Sequence, residues 1–232
     1  MKVAILQPSY IPWPGYFFWI QNCDFFVFLD DVQYTKHDWR NRNKIKSANG
    51  VVLLTVPVLT KGKYAQTILE AKIDNKSDHS CKFDWRKKHW TSIQQHYNKA
   101  PYFKKYEEFL REVYEKDWDY LVDLNIYLMM EISRIIGLNA SFVRSSELDV
   151  SGKKTERLVN ICKNLEATEY MAGERSKTYL QEELFYNENI VVTYRDYKPV
   201  AYPQLYGEFV PYLSILDMLL NCGEESTQCL HL

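Results

Sequence analysis

The chain alternates between short, uniformly apolar runs and longer segments with helical periodicity. Two of the runs, residues 3–6 and 25–29, are apolar at every position and end in polar residues. Such runs are typical of strands that are buried on both faces of a parallel sheet. Between them, Pro14 suits a first helical turn, and residues 15–22 have the length of a short helix. The pattern therefore predicts a strand, helix, strand unit at the start of the chain.

The later part of the chain returns to this alternation after a helical stretch. Residues from about 77 to 137 have helical periodicity with few breakers, and we interpret them as a helical insertion. Apolar runs and capping residues predict further strands at residues 51–58, 140–143, 169–172 and 190–194, and helices at residues 151–165, 177–186 and 212–221. This order indicates a single α/β domain over residues 1–232, with a mainly parallel, doubly wound sheet of about five or six strands.

Composition agrees with a globular protein and excludes several classes. The 232 residues are enough to bury a continuous core, and 46% apolar and 25% charged residues exclude disordered and fibrous proteins. No window approaches the ~20 consecutive apolar residues that a membrane span requires. The net charge of -1 gives no global basic field, so we expect a small-molecule substrate and not a nucleic acid.

The number and spacing of the cysteines and histidines indicate the cellular compartment and whether a metal site is expected. The five cysteines are an odd number and form no C-x-x-C pair, which argues against a disulfide framework. We therefore expect a reducing environment and a cytoplasmic protein. His79, His89 and His96 are spaced too widely for a tight set of ligands, so no metal is predicted. The sequence leaves the oligomeric state open.

The first candidate binding segment is residues 7–16, directly after the first predicted strand. Ligands of open parallel sheets bind at the carboxyl ends of the strands. Three prolines and Gly15 restrict this backbone, and its candidate binding groups are an amide, two phenols and an indole: Gln7, Tyr10, Tyr16 and Trp13. The alternative is a rigid crossover that is packed by aromatic rings.

Two carboxylates end the second predicted strand. Asp30 and Asp31 follow residues 25–29, and either one could position an amine or accept its proton during a reaction. They are the candidate catalytic residues, although a cation or a sugar hydroxyl is an equally suitable partner for such a pair.

A basic segment follows these carboxylates. If it is extended, its period of two places Arg40, Arg42, Lys44 and Lys46 on one side. Arginine can bind phosphate or carboxylate oxygens with two parallel hydrogen bonds, so Arg40 and Arg42 are the stronger candidates. The alternative is a solvated, charged edge strand.

Two predicted helix starts could also hold an anion. Lys154, Thr155 and Arg157 lie on the opening turns after Gly152, but a Walker A loop is excluded because position 147 is glutamate. Ser176 lies at the other helix start, after the strand predicted at residues 169–172. An ordinary capped helix explains each segment equally well.

Four stretches carry a resemblance that extends over nearly the whole chain: residues 5–46, which include QPSYIPWPGYFF, and residues 152–158, 170–180 and 202–223. They resemble the WbqC-like family of bacterial proteins. The resemblance implies a role among the genes for surface polysaccharides such as O-antigen, and a transfer of glycine or another aminoacyl group to an amino sugar.

A more distant likeness concerns the nucleotidylyltransferases, which carry H-x-G-H after their first strand. Here Trp13, Pro14, Gly15 and Tyr16 occupy the corresponding context. The glycine is kept and both histidines are replaced, so a cation from Arg40, Arg42 or Lys154 has to supply the positive charge.

These observations lead to one expected function and one alternative function. We expect a transferase that acts on a phosphorylated or nucleotide-activated small molecule, with ATP or a nucleotide sugar as the candidate co-substrate. The competitor is a non-catalytic protein that binds a sugar or a sugar nucleotide with an aromatic pocket.

Overall fold

A computed structural model of the protein describes residues 1–75 and 84–230. In chain order its strands are β1 (Lys2–Leu6), β2 (Phe25–Phe28), β3 (Arg42–Ser47), β4 (Gly50–Thr55), β5 (Ser141–Arg144), β6 (Glu169–Gly173) and β7 (Val191–Arg195). Five of them form one sheet in the order β5-β2-β1-β6-β7, and all neighbouring pairs in it are parallel. The prediction of an α/β fold with a mainly parallel sheet is confirmed.

The strand order reverses beside β1. The chain first adds strands on the side of β2 and β5, and then crosses to add β6 and β7 on the other side of β1. At such a reversal the crossover connections leave in opposite directions, which opens a crevice at the carboxyl ends of the strands. The residues that follow β1 and β6 therefore mark the place where a ligand is expected.

Seven helices accompany the strands of the described part of the chain: α1 (Pro14–Asn22), α2 (Trp85–Tyr97), α3 (Phe103–Glu115), α4 (Leu121–Ile135), α5 (Lys154–Asn164), α6 (Glu182–Tyr186) and α7 (Ile215–Cys222). Pro14 opens α1, where its missing N–H costs nothing. The Asp84 and Ser214 side chains accept from backbone N–H groups at the starts of α2 and α7. Within the residues that the structure describes, no helix combines the length and the apolar character needed to cross a membrane.

Alternate residues of the central strands face two separate cores. Ala4 and Phe26 face the larger core, which includes α1, α4 and α7, whereas Val3 and Val27 face a smaller one with α5 and α6. This is the two-residue period of a strand. Because both faces are covered, the strands are apolar at nearly every position, as the sequence indicated.

Helices α2, α3 and α4 occupy the segment that was predicted as a helical insertion at residues 77–137. Residues 76–83, with which that prediction begins, lie outside the described residues, and so do His79 and Cys81.

The strand predicted at residues 51–58 is not part of the parallel sheet. Its observed counterpart β4 pairs antiparallel with β3 in a separate two-stranded hairpin. The cause is the short connection, since Ser47 pairs with Gly50 across only two residues, and Gly50 has a positive φ of 114°. A parallel crossover needs a dozen or more residues, whereas a tight turn joins antiparallel strands.

The helix predicted at residues 177–186 is wrong in its first half. A 3-10 turn covers Glu174–Thr178, and the α-helix is confined to Glu182–Tyr186. Hydroxyl groups bind nearby carbonyls in this turn: Ser176 Oγ donates to the Gly173 carbonyl at 2.6 Å, and Thr178 Oγ1 donates to the Arg175 carbonyl at 3.0 Å. Such local bonds compete with regular α-helical pairing.

Candidate functional site

The turn that follows β1 holds the guanidinium of Arg40. Arg40 Nη1 donates to Ser9 Oγ at 2.6 Å and to the Tyr16 hydroxyl at 3.0 Å. The Tyr16 hydroxyl donates in turn to the Gln7 carbonyl at 3.1 Å. The backbone of Arg40 is fixed as well, because its carbonyl accepts from Tyr10 N at 3.2 Å and from Asn125 Nδ2 at 2.8 Å. A cation is thereby immobilised at the carboxyl end of β1.

The charge of Arg40 is only weakly compensated. Its nearest carboxylate within the described residues is Asp38, at 3.7 Å, and its Nε atom is buried without a hydrogen-bond partner there. Only 16% of the side chain is exposed. A guanidinium that is held in place, with no carboxylate closer than 3.7 Å in the described part of the chain, has the chemistry that binds phosphate or carboxylate oxygens.

The carboxyl end of β1, with the turn that follows it and Arg40, is called the rim below. Tyr10 lies in the interior instead of at the surface of this rim. Its hydroxyl is bonded to Tyr114 at 2.6 Å and to His89 Nδ1 at 2.8 Å, and its ring is fully buried. Burial raises the pKa of Tyr10 well above its ordinary value. Tyr10 therefore supports the turn from inside, without reaching the crevice that the sequence assigned to it.

Trp13 is half-buried against two aromatic rings that follow β7. Its ring centroid lies 5.5 Å from that of Tyr197 and 5.4 Å from that of Tyr212. Gly15 is required here, because a Cβ atom at this position would overlap the indole. Tyr212 is 57% exposed and has a positive φ of 58°, which is unusual for a tyrosine. These rings form an aromatic surface beside the first turn.

The basic segment does not present one row of cations. Arg40 precedes β3, Arg42 Nη2 lies 3.0 Å from His37 Nδ1, and Lys44 is exposed over the Trp39 ring. Lys46 is buried and donates to Gln204 Oε1 and to the Glu208 carbonyl. The cationic side chains of this segment therefore contact different parts of the protein and do not form one binding surface.

The two predicted catalytic carboxylates are part of an ion network. Asp30 is fully buried, and its two oxygens accept from Arg144 Nε at 2.7 Å, from Ser145 Oγ, and from both the N–H and the Oγ of Ser146. Asp31 accepts from Ser145 Oγ at 2.8 Å and pairs with Arg157. The one Ser145 hydroxyl proton is shared between Asp30 and Asp31, and the other three bonds to Asp30 hold Arg144 and the end of β5 in place.

The residues predicted at the two helix starts have mainly local partners. Lys154 is exposed with a positive φ of 53°, and Thr155 Oγ1 accepts from the Gln181 backbone N–H at 3.3 Å. Arg157 also donates to the Val150 carbonyl at 2.9 Å, while Ser176 is buried against the Gly173 carbonyl. Of this group, Lys154 lies at the start of α5 and has no ion pair with any residue that the structure describes.

Sequence reasoning missed Ser9, Arg144, Ser145 and Ser146. Arg144 is the last residue of β5, and Ser145 and Ser146 follow it; because β5 is the neighbour of β2 in the sheet, all three face Asp30 across adjacent carboxyl ends. The signal in the sequence is that these polar residues directly follow the strand predicted at residues 140–143.

A cavity of about 560 Å³ lies beside Arg144. Its wall includes none of the residues that were predicted from the sequence, although Arg144 connects it to Asp30. Within the described ranges, no group of three histidine, cysteine, aspartate or glutamate side chains is arranged to hold a metal ion.

Comparisons with known proteins place these features in a family. The model described as "WbqC-like protein family" matches residues 7–229. A protein of Mycobacterium tuberculosis, named "Uncharacterized protein Rv1507c", is 41% identical over 227 residues, which are 97% of this chain and 95% of that protein. No solved structure matches the chain.

Proposed function

The chain belongs to the WbqC-like protein family, and we propose that it is a transferase that acts on a phosphorylated or nucleotide-activated small molecule. The observation that carries the proposal is Arg40, whose guanidinium is bonded to Ser9 and Tyr16 at the carboxyl end of β1. This position adjoins the reversal of strand order, where α/β sheets bind ligands, and it supports a likeness to nucleotidylyltransferases.

The remaining rim residues have separate roles in the proposal. Arg42 and Lys154 add positive charge for phosphate oxygens, and Gln7 and Trp13 contact the rest of the molecule. Asp31 is the candidate base, because its side chain is 23% exposed while Asp30 is enclosed.

The finer assignment follows from the family resemblance. We propose a glycyl or aminoacyl transfer to an amino sugar in the synthesis of a surface polysaccharide, in the cytoplasm, with ATP or a nucleotide sugar as co-substrate. In such a reaction the carboxylate of the amino acid first bonds to the α-phosphorus of ATP and pyrophosphate leaves. The amine nitrogen of the sugar then bonds to the acyl carbon of this aminoacyl adenylate, the bond from that carbon to the phosphate oxygen of AMP breaks, and the amine proton passes to Asp31.

The test compares ligand binding by the chain and by two variants. Titration calorimetry with ATP and with a uridine diphosphate amino sugar should detect binding of at least one of them. Arg40→Ala together with Arg42→Ala should weaken that binding about a hundredfold, since each charge-assisted contact is worth about tenfold. Arg40→Lys keeps the charge and should recover part of the loss.

Arg111→Ala is the matched control, because Arg111 is an exposed arginine on α3 whose ion-pair partner among the described residues is Glu108. Thermal unfolding of each variant shows whether it is folded. Equal affinity of the folded double variant and of the Arg111 variant for every ligand would contradict the proposal.

A second candidate function is favoured by the aromatic surface of Trp13, Tyr197 and Tyr212. Tyr212 is largely exposed, and exposed rings bind the faces of sugars. A non-catalytic sugar-binding protein would lose affinity for an uncharged amino sugar in Tyr212→Ala, and incubation with ATP and glycine would give no product.

A further inference from the structure

The cavity beside Arg144 has rigid walls. The backbone N–H of Leu69 donates to the Asp30 carbonyl at 2.8 Å, and that of Ile68 donates to the Val32 carbonyl at 2.9 Å. On the opposite side, Leu121 N donates to the Ala71 carbonyl at 2.9 Å. The segment that forms the cavity is thereby tied both to the continuation of β2 and to the start of α4, so the space is preformed.

Three cations reach this space: Lys63, Lys72 and Arg144. Lys72 Nζ lies 5.2 Å from the centroid of the Tyr120 ring, and neither lysine has a carboxylate within 4 Å in the described part of the chain. The two ammonium groups are therefore available to a ligand.

Two carboxylates also line the cavity, and each has another partner. Glu70 accepts from the backbone N–H of Thr67 at 2.8 Å and from its hydroxyl at 3.0 Å, and these bonds lower the pKa of Glu70, with a smaller contribution from the charge of Lys63. Asp123 lies 3.5 Å from Arg144 Nη1. Arg144 is thus compensated by Asp30 and Asp123, and Glu70 is held by Thr67, so Lys63 and Lys72 are the two lining cations without an ion pair among the described residues.

We propose that this cavity is a binding site for a small molecule that carries a phosphoryl group. Lys63 and Lys72 bind its oxygens, and Tyr120 together with Leu69 contacts the apolar remainder. The volume of about 560 Å³ suits a mononucleotide or a sugar phosphate. The cavity lining includes neither Arg40 nor the residues that bind its guanidinium, and the inference does not depend on the transferase proposal.

The experiment titrates the full chain with inorganic phosphate, uridine monophosphate, uridine and citrate, with binding followed by calorimetry. Phosphate and uridine monophosphate should bind, and uridine should not. Lys63→Gln together with Lys72→Gln should weaken uridine monophosphate binding by about tenfold or more, the loss of at least one charge-assisted hydrogen bond.

Two further variants separate a specific site from general attraction. Leu69→Trp leaves the charge unchanged and fills the space, so it should weaken binding as well. Lys87→Gln together with Lys99→Gln removes the same charge from exposed lysines outside the cavity lining and should leave affinity unchanged.

Several outcomes would overturn the inference. Equal weakening in the Lys87 and Lys99 control would indicate attraction to the whole surface, and stronger binding of citrate than of phosphate would indicate a carboxylate site. Loss of phosphate binding in Arg40→Ala, with retention in Lys63→Gln plus Lys72→Gln, would assign the phosphate to the rim. That last result contradicts this site and supports the proposed function, so the two proposals fail separately.

Discussion

His89 is a buried imidazole beneath the first turn. Its Nδ1 atom lies 2.8 Å from the Tyr10 hydroxyl, and burial lowers its pKa from 6.5 to about 3, while a backbone hydrogen bond with Thr55 acts in the opposite direction. The imidazole is therefore neutral in the folded protein at pH values where an unfolded chain would protonate it.

This difference predicts a loss of stability in acid. Below pH 6.5 the unfolded state binds one more proton than the folded state, so the free energy of unfolding falls by about 1.4 kcal/mol per pH unit as the pH drops toward 3. His89→Gln keeps a polar partner for Tyr10 and does not titrate. Urea unfolding at pH 6, 5 and 4 should show the stability difference between the two proteins changing with that slope, and parallel curves would contradict it.

The sequence predicted which residues follow β1 but not the direction in which each side chain points. Tyr10 and Tyr16 carry the same phenol group, but only the Tyr16 hydroxyl contacts Arg40. Tyr10 instead packs against His89 and Tyr114, which are 79 and 104 residues away in the sequence. Ile11 has a positive φ of 34°, which changes the direction of the backbone between the two tyrosines. Contacts at this separation cannot be obtained from local pattern.

Three elements meet in the network around Asp30 and Asp31. Arg144 and Ser145 come from the end of β5, the two aspartates follow β2, and Arg157 comes from α5. Asp30 is fully buried and Arg144 is 26% exposed, whereas Asp31 and Arg157 are both partly exposed. The two neighbouring carboxylates therefore contribute unequally to holding the elements together.

Substitution should separate these contributions. Asp30→Asn leaves the Arg144 guanidinium without its buried charge partner and should lower the free energy of unfolding by about 3 kcal/mol. Asp31→Asn should cost about 1 kcal/mol, since water reaches that pair. Chemical unfolding measures both, with Asp123→Asn as an exposed control on Arg144. Equal costs, or an Asp30 variant of unchanged stability, would contradict the structural role of Asp30.

Strands and helices could be predicted where the apolar pattern of the sequence is compatible with one type of secondary structure. The uniformly apolar run of β2 suits a strand that is buried on both faces of a sheet. The strand β4 also contains four consecutive apolar residues, but it lies in a hairpin because only two residues connect it to β3. Residues 177–186 have helical composition, yet the Ser176 and Thr178 hydroxyls stabilise a tighter turn. In both cases a short local connection overrode the periodicity.

At the scale of the whole molecule, segments from distant parts of the chain converge behind the rim. Ser214 N donates to the Lys44 carbonyl at 2.8 Å, and Ile215 N donates to the Pro12 carbonyl at 2.8 Å. The start of α7 thus binds both the hairpin and the first turn. The sequence predicted a closing helix but gave no indication of these partners, since they depend on topology.

Asp217 on α7 is buried where these segments meet. Its oxygens accept from the Tyr97 hydroxyl at 2.7 Å and from the Tyr202 hydroxyl at 2.9 Å, and Lys46 lies near enough to lower its pKa against the larger, raising effect of burial. The carboxylate therefore joins α2, the hairpin and the segment before α7.

Asp217→Ala should weaken the molecule as a whole, by about 3 kcal/mol or more, because it removes the acceptor of two buried hydroxyls and a negative charge that lies near the buried Lys46. Asp149→Ala, at an exposed position, should change stability by less than about 0.5 kcal/mol. Urea unfolding followed by far-ultraviolet and near-ultraviolet circular dichroism should give one shared, lowered midpoint, since the contacts of Asp217 reach both the hairpin and α2. A separate early transition in the aromatic signal would show instead that the segment around α7 unfolds on its own, and that Asp217 joins it only loosely to the rest of the protein.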